Sequence, residues 1–147
     1  MIVSLHVATG AAAGALAGSR AGAVVIGPVA HLLGDLTPHE DISSTTFEAV
    51  SGGAVLLLVA RRHGVLAPAT LGALAASAPD VEHLLQRRLG GRKLFPSHRF
   101  SGWHRRGGLP AWAQLALAAA ILAVVVRSTQ THYGHSLRPR SRRGSCR

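Results

Sequence analysis

The chain has 147 residues, of which 48% are hydrophobic, 15% charged and 4% aromatic. This is about one domain's worth of a composition too apolar for a disordered polyelectrolyte and too poor in large side chains for most soluble enzymes with a big core. Ala, Leu, Val and 17 Gly supply the apolar share, so helices of this chain present small side chains and suit close packing in lipid. The formal charge of +10 is unevenly placed. Residues 1–81 hold three Arg against five acids, residues 82–106 seven basic groups against one acid, and residues from Arg127 onward six Arg and no acid. A single cysteine, Cys146, excludes an intrachain disulfide and a cysteine-based zinc cluster.

Uncharged runs set the layout. The first, Met1 to Ser19, is broken by Arg20 and resumes from Ala21 to Gly34. No basic stretch precedes it, which argues against a cleaved signal peptide and predicts that any membrane segment is retained. Gly10, Gly14, Gly18 and Gly22 recur at every fourth position. They predict a ridge along one helix face that permits close helix approach, with His6 on the same inward side; a weakly specified, flexible segment is the alternative. Leu36 to Thr46 reads as a loop from its Pro38, Glu40, Asp41 and Ser/Thr content. Thr45 or Thr46 is expected to cap a helix from Phe47 to about Arg62, whose closing arginines suit a helix C-terminus. The runs Ala49 to Ala60 and Gly64 to Pro79 are short for spanning, and another helix is expected to begin near Pro79. Gly90 to Leu109 has no helical period and reads as a long loop of the kind that carries function. Gly107 to Val126, whose one strongly polar side chain is Gln114, is the run with the length a bilayer core demands. Arg127 to Arg147 reads as a disordered basic tail.

The acids are not scattered. Five of the six, Asp35, Glu40, Asp41, Asp80 and Glu82, lie within four residues of a histidine. In an apolar chain such groups are costly to bury unless they pair or hold a metal, so a polar site in or at the edge of a membrane is expected. His31 and Asp35 stand one helical turn apart and can reach a common ion, or form a buried pair. His39 follows Pro38, where the helix can already have ended. Ser77 and Asp80 have the spacing of a capping box, which alone accounts for Asp80, but His83 then falls on the same face as Asp80. Glu82 points elsewhere on that helix, with a general base, the partner of a histidine and a solvated side chain all open to it. In the basic loop, His98 and His104 offer late ligands. Arg99, Arg105 and Arg106 around them form either a clamp for a phosphate or carboxylate or a surface for anionic lipid headgroups. His63, His132 and His135 have no acidic neighbours and are read as bystanders.

The order of these segments carries a resemblance. A histidine before a Gly/Ala-rich helix, then HLLGDLTPH (31–39), APDVEH (78–83) and SHRFSGWH (97–104), resembles the inner-membrane-associated metal-dependent hydrolases of the YdjM-like group over about residues 6 to 126. The resemblance implies a small helical membrane protein with a metal held by His6, His31, Asp35, Asp80, His83, His98 and His104. The group commonly shows P-D-x-D-H where this chain has Glu82, and its closing motif resembles H-R-G-x-T-H-S, whereas here the two histidines are one residue further apart and no Ser follows.

These readings combine into one expectation. The expected fold is all-α: a small helical membrane bundle with one clear transmembrane helix candidate and several short apolar helices, over residues 1–126, followed by the tail at 127–147. The expected function is metal-dependent hydrolysis of an ester or phosphoester, a lipid's included, at a divalent ion, with zinc favoured. Asp35 or Glu82 would accept the proton of an activated water and Arg99, Arg105 or Arg106 would steady anionic charge. The alternative is a noncatalytic membrane protein with a structural His/Asp cluster and a basic loop that binds anionic lipid. Membrane lipids are the expected partners, with a homo-oligomer through the glycine ridge a further one. The tail has one aromatic residue, Tyr133, and no recognition element, so no specific nucleic acid is expected. The basic tail predicts a bacterial cytoplasmic membrane protein with its C-terminus in the cytoplasm.

Overall fold

The computed structural model describes residues 1–105 and 107–135, with the side chains of residues 84, 87 and 129–135 outside the description. The described chain is all-helical: α1 (Val3–Ala17), α2 (Arg20–Leu36), α3 (Thr45–His63), α4 (Pro68–Leu89), the single turn α5 (Pro96–Arg99) and α6 (Ala111–His135). One isolated bridge, between His39 and Leu109, is the only extended pairing among the described residues.

The packing follows from α1. This helix is apolar on all sides and touches each of the other four long helices, as expected of a segment with no face suited to water. Its first amides have no partners within the helix. Those of Ile2 and Val3 donate to Gln114 Oε1 of α6 at 3.1 Å and to Glu48 Oε2 of α3 at 2.7 Å. Gln114, the polar exception in an apolar run, also donates from Nε2 to the carbonyls of Glu40 and Leu109 at 2.7 and 3.0 Å. One buried amide thereby fixes the starts of α1 and α6 and the loops beside them at the same end of the bundle. Val7, Ala11, Val59, Ala69, Ala73 and Val125 form a core cluster further along.

Several boundaries differ from the sequence expectation. The glycine ridge does not run along one helix: Gly18, at φ +66°, ends α1, and Ser19 caps α2 by accepting from the Gly22 amide at 3.0 Å. Gly10 and Gly14 instead meet Gly72 of α4, where the backbones touch so closely that a Cβ on Gly72 would lie 2.7 Å from Gly14 Cα. That part of the ridge is covered within the chain. The cap of α3 is Ser44, whose Oγ accepts from the Phe47 amide at 3.2 Å. Helix α4 begins eleven residues before Pro79, with Pro68 in its first turn, so Ser77 is mid-helix and bonds the Leu74 carbonyl rather than capping. The long loop holds the short turn α5. Helix α6 continues past Val126 to His135, so the segment read as a disordered tail starts helical; residues 136–147 lie outside the described residues.

One helix is long and apolar enough to cross a membrane, over Ala111–Ser128 at a mean hydropathy of 1.7, overlapping the Gly107–Val126 run that the sequence singled out. Most of that stretch faces outward, including Trp112 and Val124. Large apolar side chains are also exposed on α2 (Val24, Val25, Val29, Leu33) and α3 (Val50, Leu57, Leu58).

Candidate metal centre

The end of the bundle fixed by Gln114 holds the histidines. Asp35, in the last turn of α2, is buried, and both of its oxygens are crowded. Oδ1 lies 3.2 Å from His6 Nε2 of α1 and 3.5 Å from His104 Nδ1. Oδ2 accepts from Ser97 Oγ at 2.6 Å and lies 3.2 Å from His31 Nε2 and 3.5 Å from His98 Nε2. Four imidazoles from α1, α2, α5 and the following loop thus converge on one carboxylate. The Met1 amino group joins them, 3.1 Å from Oδ1 and in contact with His39 Nε2.

Local structure aims each ring. The i,i+4 spacing puts His31 beside Asp35. Pro79 interrupts α4 by withholding the amide that would bond the Ala75 carbonyl, and the next carbonyl, Ala76, accepts from His31 Nδ1 at 2.7 Å. With Nδ1 donating, Nε2 carries the lone pair toward the centre. His6 stacks on His31 at 3.8 Å between ring centroids, an approach that needs Gly34, since a Cβ there would lie 3.0 Å from His6 Cε1. His83 packs against His98 at 4.1 Å between centroids, and Asp80 Oδ2 lies 3.9 Å from His31 Nδ1. His98 Nδ1 is 3.5 Å from Glu82 Oε2. Glu82 itself is engaged by the backbone amides of Leu94 and Phe95, which docks the loop carrying His98. Of the three possibilities open in the sequence, Glu82 therefore has the geometry of the histidine's partner.

In the second half of the centre His104 was assigned from sequence, whereas His39 and Asp41 were not. His39, past Pro38, is fully buried, donates from Nδ1 to the Thr37 carbonyl at 2.6 Å, and brings Nε2 to 3.2 Å from His104 Nε2. Asp41 Oδ1 lies 3.1 Å from His39 Nε2 and 3.3 Å from His104 Nε2. The hydrogen bond from His104 to Asp35 holds its imidazolium above the ordinary histidine range, despite burial. Burial would raise Asp41, but His104, the Met1 amino group and His39 together hold the carboxyl below the ordinary range. The HxD spacing of His39 and Asp41 was the available signal.

The sequence-predicted residues sort plainly. His6, His31, Asp35, Asp80, His83, His98 and His104 converge, and sets drawn from them and His39 bring ligand atoms within 4.8 Å of one another. Of the expected clamp, Arg99 lies over the Phe100 ring at 5.6 Å. It also joins Arg92, Lys93, Gln86, Gly91 and His98 in lining a groove. Arg105 contributes backbone, donating to the Asp35 carbonyl at 3.1 Å and accepting from the His39 amide at 3.2 Å. Arg106 lies outside the described residues.

The donor set fits a divalent cation. His6 Nδ1 and Asp80 Oδ2 are buried without a hydrogen-bond partner among the described residues, and His6 Nε2 has only its 3.2 Å approach to Asp35 Oδ1. A buried polar atom left this way costs about 1–3 kcal/mol, which an ion among these groups would offset. Clustered His and Asp side chains that can hold a metal are therefore present. Comparison of the chain with family models, curated proteins and solved structures finds no match.

Proposed function

We propose that the protein is a membrane-embedded, metal-dependent hydrolase of esters or phosphoesters, in keeping with its resemblance to the YdjM-like group. The observation that carries this reading is the convergence of four imidazoles on the buried Asp35 carboxylate. His31, Asp35 and His98 would be the primary ligands of a zinc ion, with His6, Asp80 and His83 around them. A divalent ion so held supplies Lewis acidity, easing deprotonation of water and neutralising charge on a phosphoryl or acyl oxygen.

The remaining roles belong to the chain. Asp80, whose Oδ2 is unpartnered, takes a proton from the attacking water as its oxygen bonds to phosphorus or acyl carbon. The bond to the leaving alcohol oxygen then breaks, and Asp80 returns the proton to that oxygen. Ser97 and the Arg105 amide hold Asp35 in place from its side chain and its carbonyl. Arg92, Lys93 and Arg99, along the groove beside His98, attract an anionic group. The outward apolar surfaces of α2, α3 and α6 favour lipid around the bundle. We place the protein in a bacterial cytoplasmic membrane, with its basic C-terminal tail on the cytoplasmic side.

Protein purified in detergent without chelator should carry metal and hydrolyse nitrophenyl esters or phosphoesters. Asp35→Asn should lose both. Wild-type protein without metal at neutral pH sinks the reading, and metal without turnover on any panel would leave the structural cluster instead.

A further inference from the structure

We infer that the protein binds a second divalent cation, on His39, His104 and Asp41, next to the His31, Asp35 and His98 position. The inference rests on reading the cluster as a metal centre, and adds a site to it. Two nitrogen or oxygen ligands at about 2.0–2.1 Å from a tetrahedral ion stand roughly 3.3 Å apart. His39 Nε2, His104 Nε2 and Asp41 Oδ1 form a triangle with edges of 3.2, 3.3 and 3.1 Å. His31 Nε2, His98 Nε2 and Asp35 Oδ2 form another, with edges of 3.4, 3.5 and 3.2 Å. Each has the dimensions of the three-ligand face of a tetrahedral site, the first built on α2 and α5 and the second on the loops that follow them, where the Met1 amino group lies against His39 Nε2 and would give way to the ion.

The second triangle is also preorganised. His39 Nδ1 is spent on the Thr37 carbonyl, which leaves Nε2 as the ligating atom. The segment bearing His39 is tied to the His104 loop by amide bonds from His39 to Arg105 O, Gly107 to His39 O, Glu40 to Leu109 O and Leu109 to Pro38 O, at 2.9–3.2 Å. Asp35 stands between the triangles: Oδ2 belongs to the first, while Oδ1 faces His104 Nδ1 at 3.5 Å. Asp35 Oδ1 thereby orients the His104 ring through Nδ1, which leaves His104 Nε2 for the second ion. The two positions differ in access. His31 and Asp35 are buried, whereas the side chains of His104 and Asp41 are 29% and 44% exposed. The second ion therefore keeps open coordination positions toward solvent, where an anionic oxygen of a substrate can bind. Two imidazoles and a carboxylate suit zinc, and cobalt(II) serves as its spectroscopic probe.

The test is metal stoichiometry in detergent, by elemental analysis after zinc loading and by titration with cobalt(II). Wild-type protein should hold two ions per chain. Asp41→Asn and His39→Ala should each hold one, with the weaker site's affinity reduced at least about tenfold. Asp41 is half exposed, so the Asn variant should keep its helical content, and His98→Ala should instead disturb the other position. One ion in wild type, unaffected by Asp41→Asn and lost in His98→Ala, overturns the second site and leaves the hydrolase reading standing. Two ions retained in both Asp41→Asn and His39→Ala also overturns it. No bound metal at all overturns both readings.

Discussion

Replacing Gly72 by Ala tests the packing on which the candidate metal centre depends. In α4, a Cβ at this position would meet the Gly10 carbonyl and lie 2.7 Å from Gly14 Cα and 3.0 Å from Gly14 N. Backbone atoms cannot rotate away, so reaching the 3.4 Å of ordinary contact means moving α1 from α4 by more than about 0.7 Å, since the Gly10 carbonyl is closer still than Gly14 Cα. Overpacking of this kind costs about 1–3 kcal/mol, and contact with rigid backbone points to the upper end. Helix propensity returns about 1 kcal/mol for Gly to Ala. The same propensity gain applies at Gly53 of α3, where an added Cβ meets nothing within 4 Å. Gly53→Ala should therefore stabilise by about 1 kcal/mol and Gly72→Ala destabilise by about 2 kcal/mol. At about 2–4 °C per kcal/mol, thermal melts followed by helical ellipticity in detergent should separate the two by about 6–12 °C. Because α1 carries His6 and α4 carries Asp80 and His83, zinc affinity should fall in Gly72→Ala and stay unchanged in Gly53→Ala. Equal melting shifts for the two variants would refute the crossing.

Three other substitutions probe the supports of the centre. Ser97→Ala removes a hydroxyl 2.6 Å from Asp35 Oδ2 and should weaken zinc binding about 10–100-fold in a competition titration; unchanged affinity would mean that Ser97 does not orient Asp35. Gln114→Leu leaves the Ile2 amide and the Glu40 carbonyl without their partner and the Leu109 carbonyl with the Glu40 amide alone, and should cost at least about 2 kcal/mol, so an unaltered melting point would contradict the clasp described for α1 and α6. Glu82→Ala frees the Leu94 and Phe95 amides, and limited proteolysis should then cut the 90–95 segment faster, with zinc affinity down about tenfold through His98; wild-type cleavage rates would show that Glu82 is not what docks the loop.

What the sequence reveals of this centre is what local spacing can carry. His31 and Asp35 share a face by helical period alone, and Asp80 with His83 does the same whether or not Ser77 is a cap. His39 escaped because its direction is set by the pairing with Leu109 and the amide bond to Arg105, contacts across some seventy residues. Asp41 follows His39 into the centre for the same reason. Glu82 was ambiguous because its role depends on where the 90–95 segment returns. The helix boundaries near Gly18 and Pro68 were misplaced for a related cause. A glycine every fourth residue is compatible with a continuous helix and with one that stops at the third glycine, and only the packing of α4 between α1 and α2 decides. The single long apolar run and its lone Gln114 were legible, since bilayer length and burial of one amide are local facts, but the three bonds that Gln114 makes were not.

Helix α6 joins the two ends of the bundle. It starts beside the histidines, through Gln114, and its Val125 shares a core cluster with Val59 and Ala69, next to the ends where α3 closes on Arg61 and Arg62 and α4 begins. Eighteen residues of α-helix rise about 27 Å, close to the thickness of a hydrocarbon core. If α6 crosses the bilayer, the histidine cluster and Arg127 meet water in different compartments. With the C-terminus in the cytoplasm, as proposed, the cluster would face outward, and any metal it binds and the pH it meets would be set beyond the cell's own buffered interior.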